Sequence, residues 1–298
     1  MHIPVLLQEV IDNTNLKEKE IFLDCTLGSG GHTKAIAETF GLSIQLIGID
    51  RDADAIERAT QNCKILKNKK SFVLSEFRNL DVVTNELGIT AVNVILMDLG
   101  LSSPQIDDSG RGFSFRKDEP LLMTMGKDGE GNTVTAYDVV NYWGETSLAD
   151  IIYGFGEERY SRRIAKAICE ARELTPIKTT FDLVKIIENA VPSVYRRGRI
   201  HPATRTFQGI RIAVNDELGN IEEGVAKAFE LLAPQGRLLV ISFHSLEDRI
   251  IKNFFREKVA EGRGVSITKK PIVPTEEESR KNPRARSAKL RIIEKVSL

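Results

Sequence analysis

Two short stretches of the chain contain residues whose types and spacing could do chemistry, and the first is a glycine-rich turn, Asp24 to His32. It directly follows the apolar run Ile21-Phe22-Leu23, which predicts a strand, a loop whose glycines let backbone N–H groups approach a ligand, and a helix that opens near Thr33. Asp50 comes about twenty residues later, at the end of the next apolar run, where a carboxylate can accept hydrogen bonds from ribose hydroxyls. The pattern indicates a cofactor that contains a ribose, either a dinucleotide or S-adenosylmethionine.

Two missing features narrow the choice of ligand. Thr33 stands where the third glycine of the dinucleotide pattern G-x-G-x-x-G would fall, which disfavours NAD. No Gly-Lys-Ser/Thr sequence follows the turn, which excludes a Walker loop. The alternative without a ligand is that the glycines only permit a tight connection between a strand and a helix.

The second stretch is Asp98 to Gln105, directly after the apolar run that ends at Met97. An exocyclic amine on a base is a poor nucleophile because its lone pair is delocalised into the ring. An enzyme must therefore hold the N–H groups with acceptors while a methyl group arrives in line. Asp98, Ser103 and the carbonyl of Pro104 can supply such acceptors, so this stretch predicts the catalytic residues of an amino-methyltransferase. The alternative is a Ser-Pro turn that only closes a strand.

These stretches need a sheet to position them, and the chain from Ile21 to Met97 alternates short apolar runs with longer helical patterns. That alternation is typical of an α/β fold built from βαβ units, with a mainly parallel sheet and helices on both faces. The predicted strands cover residues 21–23, 44–49, 71–74, 92–97, 238–242 and 290–293. Because the carboxyl ends of parallel strands lie at one edge of a sheet, Asp24, Asp50 and Asp98 are expected to gather there.

The alternation stops between Asp107 and about Thr204, where helical patterns follow one another without a convincing strand. We therefore expect a Rossmann-like core formed by residues 1–107 and 205–298, interrupted by an inserted all-helical domain at 108–204. This division places the amphipathic helix predicted for Thr204 to Leu218 in the core.

The composition of the chain, with 298 residues of which 41% are hydrophobic and 28% charged, is that of a globular protein. The cysteines Cys25, Cys63 and Cys169 lie far apart without CxxC pairing, so neither a disulfide framework nor a metal site is predicted. A formal net charge of zero argues against binding nucleic acid by bulk electrostatics and leaves room for local basic patches. The chain has no pattern of a signal peptide or of a membrane span, so a cytoplasmic location is expected.

A basic loop and the helix after it offer residues that could contact RNA. The loop from Tyr195 to His201 combines cations with aromatic rings, which suits phosphate contact and base stacking. The candidate RNA contacts are Arg196, Arg197, Arg199, His201, Arg205, Gln208 and His244. The alternative is an ordinary solvated surface. A Ser-His hydrolase at His244 and Ser245 is disfavoured because adjacent side chains point apart and no G-x-S-x-G elbow is present.

Taken together, several motifs resemble one family, the bacterial 16S ribosomal RNA cytosine-N4 methyltransferases of the small-subunit methyltransferase H type. The motifs are His2 to Leu7, Asp24 to His32, Asp98 to Gln105, Arg111 to Phe115, His201 to Gln208 and Phe243 to Arg249. The resemblance implies a class I methyltransferase core interrupted by a helical substrate-recognition domain. It also implies methylation of the N4 amine of a cytidine in the decoding region of 16S ribosomal RNA, with the base turned out of its surroundings.

The resemblance further implies that S-adenosyl-L-methionine is the cofactor. Its contacts carry over to Gly30, Gly31 and His32 in the turn, Asp50 at the ribose, Phe77 beside the adenine, and Asp98 with Gln105 near the methionine end. The implied partner is small-subunit ribosomal RNA or the small ribosomal subunit. A homodimer stays open, because the sequence does not reveal the oligomeric state, the assembly stage of the RNA or a metal requirement.

One departure from the family pattern, and one from amino-methyltransferases in general, keep alternatives open. The segment Pro120 to Met125 has Leu122 and Thr124 where the family usually has an acid and a base, which indicates either a salt bridge replaced by packing or an altered RNA contact. Gln105 stands where amino-methyltransferases usually have an aromatic residue after the proline, so base stacking would come from elsewhere; the candidates are Phe113, Phe115 and Phe243. A non-catalytic RNA-binding assembly factor that retains the cofactor pocket and an NAD-dependent oxidoreductase are the alternative functions.

Overall fold

The structure is a computed structural model that describes residues 4–100, 109–125 and 134–297. The chain divides into two compact units. Met1–Gly100 together with Leu218–Leu298 form the first, which we call the sheet unit, and Leu101–Glu217 form the second, which we call the helical unit.

The sheet unit contains a seven-stranded sheet. Its strands are β1 (Ile21–Asp24), β2 (Gln45–Asp50), β3 (Lys70–Leu74), β4 (Val92–Asp98), β5 (Leu232–Ser242), β6 (Gly264–Ser266) and β7 (Lys289–Lys295). They are arranged in the order β3-β2-β1-β4-β5-β7-β6. Strands β1 to β5 pair in parallel, whereas β7 is antiparallel to β5 and to β6. The mainly parallel sheet expected from the sequence is confirmed, and the short strand β6 is an addition that the sequence pattern did not predict.

Helices account for most of the remaining described residues. In chain order they are α1 (Leu7–Thr14), α2 (Gly31–Phe40), α3 (Ala53–Asn62), α4 (Leu80–Glu86), α5 (Ala136–Tyr142), α6 (Glu145–Gly154), α7 (Ser161–Leu174), α8 (Thr180–Ala190), α9 (Ser193–Arg196), α10 (Ala203–Asn215), α11 (Glu217–Leu231), α12 (Ser245–Ala260) and α13 (Glu276–Lys281). Short 3₁₀ turns cover Phe77–Asn79 and Pro283–Ser287. No helix within the described ranges is both long and apolar enough to cross a lipid bilayer.

Both faces of the sheet are covered, because successive side chains of a strand point to opposite faces. Leu23 and Ile47 pack in a cluster with residues of α4, α11 and α12, while Phe22 and Leu46 pack in another with residues of α1 and α2. Strands β1, β2 and β4 are neighbours and end at Asp24, Asp50 and Asp98. The sheet therefore brings these carboxylates to one edge, as the strand pattern predicted.

The helical unit has its own hydrophobic core, formed by α5 to α8 and α10. Within residues 109–125 and 134–217, the only β-type pairing is the isolated bridge between Pro120 and Thr179. Helix α10 belongs to this unit, since Phe207 and Ile210 are buried in its core; the structural division falls after Glu217, whereas the sequence pattern placed it after residue 204. The apolar stripe of α10 predicted that one face is buried, but a period of 3.6 residues does not say which helices bury it.

The close approach of α6 and α10 gives a testable prediction about the helical unit. A Cβ on Gly156 would lie 2.6 Å from the carbonyl oxygen of Ile152 and closer still to that of Arg205. We expect Gly156→Ala to lower the free energy of unfolding by about 2 kcal/mol, because rigid backbone must move. Gly154→Ala is the matched control, since nothing lies within 4 Å of its added Cβ. Urea unfolding of both variants measures the difference, and equal stability would contradict the packing.

Candidate functional site

The glycine turn between β1 and α2 is shaped by positive φ angles and by close packing. Gly28 has a φ of +53° and Gly30 one of +76°, and the N–H of Gly30 donates to the carbonyl of Leu27 at 2.8 Å. A Cβ on Gly30 would lie 3.0 Å from Sγ of Cys63, and one on Gly31 only 2.7 Å from Cγ of Pro4. Glycine is therefore required at both positions by the protein itself, and the turn leads straight into the first turn of α2.

Asp50 faces the glycine turn from the end of β2. The N–H of Gly28 donates to its Oδ2 at 2.7 Å, and the N–H of Asp52 donates to its Oδ1 at 2.9 Å. Burial raises the pKa of Asp50 above its ordinary value. The two hydrogen bonds lower the pKa, but by less than burial raises it. Each carboxylate oxygen has a second lone pair, so Asp50 can hold the turn and still accept from two ribose hydroxyls.

Asp24, at the end of β1, lies on the same edge and is almost fully buried. The hydroxyl of Thr33 donates to its Oδ2 at 2.8 Å, and the N–H of Thr26 donates to its Oδ1 at 3.2 Å. Burial raises the pKa of Asp24 from 3.8 to about 6, and the nearby charge of Asp50 adds to the rise. Thr33 stands at the position of the third glycine of a dinucleotide turn. Its side chain is buried and donates to Asp24, whereas a glycine there would leave room for close packing of the helix on the strand.

Asp98, at the end of β4, has an oxygen with unused hydrogen-bonding capacity. Its N–H donates to Oγ1 of Thr26 at 2.7 Å, which ties the end of β4 to the glycine turn. Its Oδ1 is buried and has no hydrogen-bond partner among the described residues. Burial raises the pKa of Asp98 well above its usual range, and the charges of Asp24 and Glu247 raise it further. An unpaired buried acceptor is costly, so this oxygen is suited to accept from a ligand donor.

The structure gives His32 a defined place between the amino-terminal segment and Asp98. Its ring is buried and its Nε2 lies 3.0 Å from the carbonyl oxygen of Val5. Since a carbonyl only accepts, Nε2 carries the proton in this contact, and Nδ1 lies 3.9 Å from Oδ2 of Asp98. His32 therefore holds the start of α2 against the residues before α1 and turns its second nitrogen towards Asp98.

Phe77 and His244 occupy the flanks of this edge. Phe77 is half-buried in the 3₁₀ turn after β3 and packs on Gly224 of α11, where an added Cβ would clash with the ring. His244 precedes α12, and its Nδ1 accepts from the N–H of Glu247 at 3.4 Å. Oε2 of the buried Glu247 accepts from the N–H groups of Phe243 at 2.7 Å and His244 at 3.2 Å. Part of the His244 ring is thus used to cap the helix, and its role towards RNA stays a prediction.

The predicted RNA contacts of the helical unit are of two kinds, exposed side chains and side chains that form hydrogen bonds within the unit. Arg196, Arg197 and Arg199 are exposed. His201 is exposed as well, with its ring stacked on Phe115 at a centroid distance of 4.5 Å and its Nε2 3.5 Å from a carboxylate oxygen of Glu188. Arginine side chains without such partners can turn towards a phosphate more freely than this stacked ring.

Arg205 and Gln208, in the first half of α10, are engaged within the unit. The guanidinium of Arg205 donates to the carbonyl of Glu157 at 3.2 Å, and the amide of Gln208 donates to the carbonyl of Phe155 at 3.0 Å. Both side chains therefore secure the segment that follows α6. A sequence pattern identifies a polar stripe on a helix, but it does not reveal that backbone carbonyls of another segment face it.

The predicted residues Ser103, Pro104 and Gln105 lie outside the described residues. Of the aromatic candidates for base stacking, Phe113 is buried, Phe115 is stacked on His201, and Phe243 is half-buried. Thr124, in the segment that departs from the family pattern, is buried and its Oγ1 has no hydrogen-bond partner among the described residues.

Sequence reasoning missed Thr26 and Glu247 as members of the edge. Thr26 links the turn to Asp98 through its hydroxyl, and Glu247 contributes a buried negative charge that acts on Asp98. A polar side chain inside a tight turn that must satisfy backbone groups is a usable signal for Thr26. Glu247 follows His244 by three residues, which is the spacing of a capping box, but nothing local indicates that it faces Asp98.

Comparisons with known proteins identify relatives of the whole chain. The family model described as the MraW methylase family matches residues 1–296 of the chain. Ribosomal RNA small subunit methyltransferase H of Brevibacillus brevis is 43% identical over 313 residues, covering 99% of this chain and 98% of that protein. The protein of the same name from Carboxydothermus hydrogenoformans is 46% identical over 311 residues, again covering 99% and 98%. Among solved structures, an rRNA methylase from Streptococcus thermophilus matches with a TM-score of 0.44 and 11% identity over 98% of this chain and 93% of that one, a likeness too distant to support an argument.

Proposed function

Because the chain belongs to the MraW methylase family, we propose that it transfers a methyl group from S-adenosyl-L-methionine to the N4 amine of a cytidine in the decoding region of 16S ribosomal RNA. Its relatives at 43% and 46% identity are named as methyltransferases of small-subunit ribosomal RNA. The finer assignment to cytosine N4 is what the family resemblance implies, and an unpartnered acceptor at the sheet edge suits an exocyclic amine. The enzyme acts in the cytoplasm on the small ribosomal subunit or its RNA.

One observation carries the proposal, the unpartnered Oδ1 of Asp98 at the carboxyl end of β4. The N4 amine of cytosine offers N–H donors, and its lone pair becomes available for attack as the nitrogen moves towards a tetrahedral geometry. A buried acceptor beside the glycine turn stabilises the tetrahedral nitrogen of the transition state more than the planar amine of the free base. Asp98 is therefore suited to select the amine and to assist its attack.

Each residue of the edge has a defined task. S-adenosyl-L-methionine supplies a methyl group activated by a positively charged sulfur. Asp50 would accept from the ribose hydroxyls of the bound cofactor, Phe77 would contact its adenine, and the turn at Gly30 to His32 would hold it through backbone groups. Oδ1 of Asp98 accepts a hydrogen bond from N4 and takes the proton that the amine loses as its new C–N bond forms. The carboxylates of Asp24, Asp98 and Glu247 repel one another at this edge. A positively charged cofactor would offset this repulsion, so the edge suits a cation.

The ribose contact gives a prediction for cofactor binding. We expect Asp50→Ala to weaken the affinity for S-adenosyl-L-methionine by about tenfold, because two hydrogen bonds to hydroxyls are lost. Asp50→Asn keeps an acceptor for the N–H of Gly28 and should retain more of the affinity. Calorimetric titration measures both variants, and wild-type affinity in Asp50→Ala would contradict the assignment.

The proposed function is tested by methyl transfer to its substrate. Purified protein is incubated with tritium-labelled S-adenosyl-L-methionine and small ribosomal subunits that lack the modification, and the labelled nucleoside is then identified and mapped. We expect one labelled N4-methylcytidine in the decoding region. Label on another atom or nucleotide would overturn the N4 assignment, while binding without transfer would favour a non-catalytic assembly factor.

An NAD-dependent oxidoreductase is the second enzyme candidate, and the position of Thr33 disfavours it. In a dinucleotide site the third glycine allows a close helix–strand contact, whereas here a buried threonine donates to Asp24. Equilibrium dialysis against NADH and S-adenosyl-L-methionine separates the candidates. Retention of NADH in place of S-adenosyl-L-methionine would favour the oxidoreductase.

A further inference from the structure

We propose that an arginine face on the helical unit, formed by Arg159, Arg162, Arg163, Arg196 and Arg197, binds the phosphate backbone of the substrate RNA. The inference rests on the proposed function and deepens it, because it assigns the contact to a surface that joins the start of α7 to α9. Arg159, Arg162 and Arg163 were not among the residues that the sequence pattern selected.

The two segments of the arginine face are held together by aromatic and acidic side chains. The rings of Tyr160 and Tyr195 meet edge to face with centroids 4.9 Å apart. The hydroxyl of Tyr195 donates to a carboxylate oxygen of Glu158, which is fully buried, and the N–H of Tyr160 donates to the other at 2.8 Å. Glu158 thus fixes both tyrosines and places the segment of Arg159, just before α7, beside the segment of Arg196 in α9.

Arg159 lies over both tyrosine rings at once. Its guanidinium carbon is 4.9 Å from the ring centroid of Tyr160 and 5.1 Å from that of Tyr195. Such stacking orders the guanidinium while its N–H groups remain available at its edges. A planar fork presented in this way suits bidentate contact with a phosphate and stacking with an unpaired base.

The remaining arginines of the face are exposed, and none of them forms an ion pair with another described residue. In the described ranges, no carboxylate pairs with Arg159, Arg162, Arg163, Arg196 or Arg197. Elsewhere in the same unit cations do find partners, as Lys166 does with Glu170 at 3.7 Å and Arg211 with Glu217 at 2.8 Å.

The position of Arg162 and Arg163 in α7 adds to the argument. They occupy the first turn of the helix, which contains no acidic residue, and a positive charge there is unfavourable because it faces the positive end of the helix dipole. The local structure gains nothing from these charges. A polyanionic ligand would compensate them, and RNA is the polyanion that the proposed function supplies.

The test uses the full-length protein with the double variant Arg162→Ala/Arg163→Ala. We expect its affinity for unmodified small subunits to fall by about tenfold at 0.15 M salt. The negative slope of the logarithm of the association constant against the logarithm of the salt concentration should become shallower by about 1.5, as for the loss of two phosphate contacts. Affinity for S-adenosyl-L-methionine and the single-turnover rate at saturating RNA should not change. The matched control is Lys166→Ala/Lys185→Ala, which removes the same charge from exposed positions of the same unit and should leave the slope unchanged.

A second variant, Arg159→Lys, keeps the charge and removes the planar fork. We expect it to weaken binding to a single-stranded decoding-region oligonucleotide while keeping the salt slope, because stacking is lost and the phosphate contact is not. Thermal unfolding of all variants checks the fold, and the double variant should be at least as stable as the wild type since unfavourable charges are removed.

The outcomes separate this inference from the proposed function. Wild-type affinity and salt slope in the double variant would overturn the arginine face, even if methyl transfer is confirmed. A protein that binds RNA through this face without transferring a methyl group would uphold the face and overturn the proposed activity. An equal loss in the lysine control would also overturn the face, because net charge alone would then explain the effect.

Discussion

Replacing Asp98 by asparagine is expected to lower the single-turnover rate of methyl transfer by at least about 100-fold, while the affinity for S-adenosyl-L-methionine changes by less than about fivefold. The carboxylate accepts from the amine and takes its proton, and an amide oxygen can do only the first of these. Removal of one group that acts mainly in the transition state lowers the rate more than it lowers ground-state binding.

Loss of the fold is not an alternative explanation for this result. Burial, and after it the charges of Asp24 and Glu247, raise the pKa of Asp98, so a neutral asparagine removes a charge that the folded protein disfavours. The variant should be at least as stable as the wild type at pH 7. Asp81→Asn is the matched control, because it makes the same substitution on the exposed carboxyl of α4 and should leave the rate unchanged.

The pH dependence of the rate provides a second readout. Because the ionised carboxylate is the active form and its pKa lies well above the usual range, the wild-type rate should rise with pH through that raised pKa. This rise should be absent in the residual activity of Asp98→Asn. An unchanged single-turnover rate with the same pH profile would contradict the role of Asp98.

Replacing Asp24 by asparagine is expected to stabilise the cofactor-free protein at pH 7 by about 3 kcal/mol. Burial raises the pKa of this carboxyl from 3.8 to about 6, a rise of about two units at 1.36 kcal/mol each. A group whose pKa is raised on folding contributes stability that is fully present below its unfolded pKa and is lost as the pH rises through its folded pKa. The contribution of Asp24 should therefore disappear between about pH 4 and pH 6.

Urea unfolding at several pH values measures this effect. At pH 4 the two proteins should be nearly equally stable, since the asparagine oxygen can accept from the N–H of Thr26 and its NH2 group can donate to the hydroxyl of Thr33, as a protonated carboxyl can. At pH 7 only the wild type carries a buried charge, so the difference should appear. Asp81→Asn should show the opposite trend, because the salt bridge with Lys227 lowers the pKa of Asp81. If Asp24→Asn were less stable than the wild type at pH 7, the prediction would be wrong. The hydrogen bonds from Thr33 and Thr26 would then stabilise the ionised carboxylate by more than burial destabilises it.

Much of the sheet edge could be predicted because its determinants are local. Apolar runs of strand length end at Asp24, Asp50 and Asp98, and parallel strands place their carboxyl ends at one edge. Gly28 and Gly30 occupy positive φ angles, as a tight turn after a strand requires. These are properties of single residues and of their nearest neighbours in the chain.

The sequence by itself thus determined the parallel sheet, the glycine turn and the acidic residues at the strand ends. Only the tertiary structure decided that α10 belongs to the helical unit, that His32 is tied to Val5, and that Arg159 lies over Tyr160 and Tyr195. The physical reason is that periodicity and propensity specify which face of an element is buried, whereas its partner is selected by packing among residues far apart in the chain. The unpartnered oxygen of Asp98 belongs to this second class, because only the folded chain shows which hydrogen bonds are left unmade.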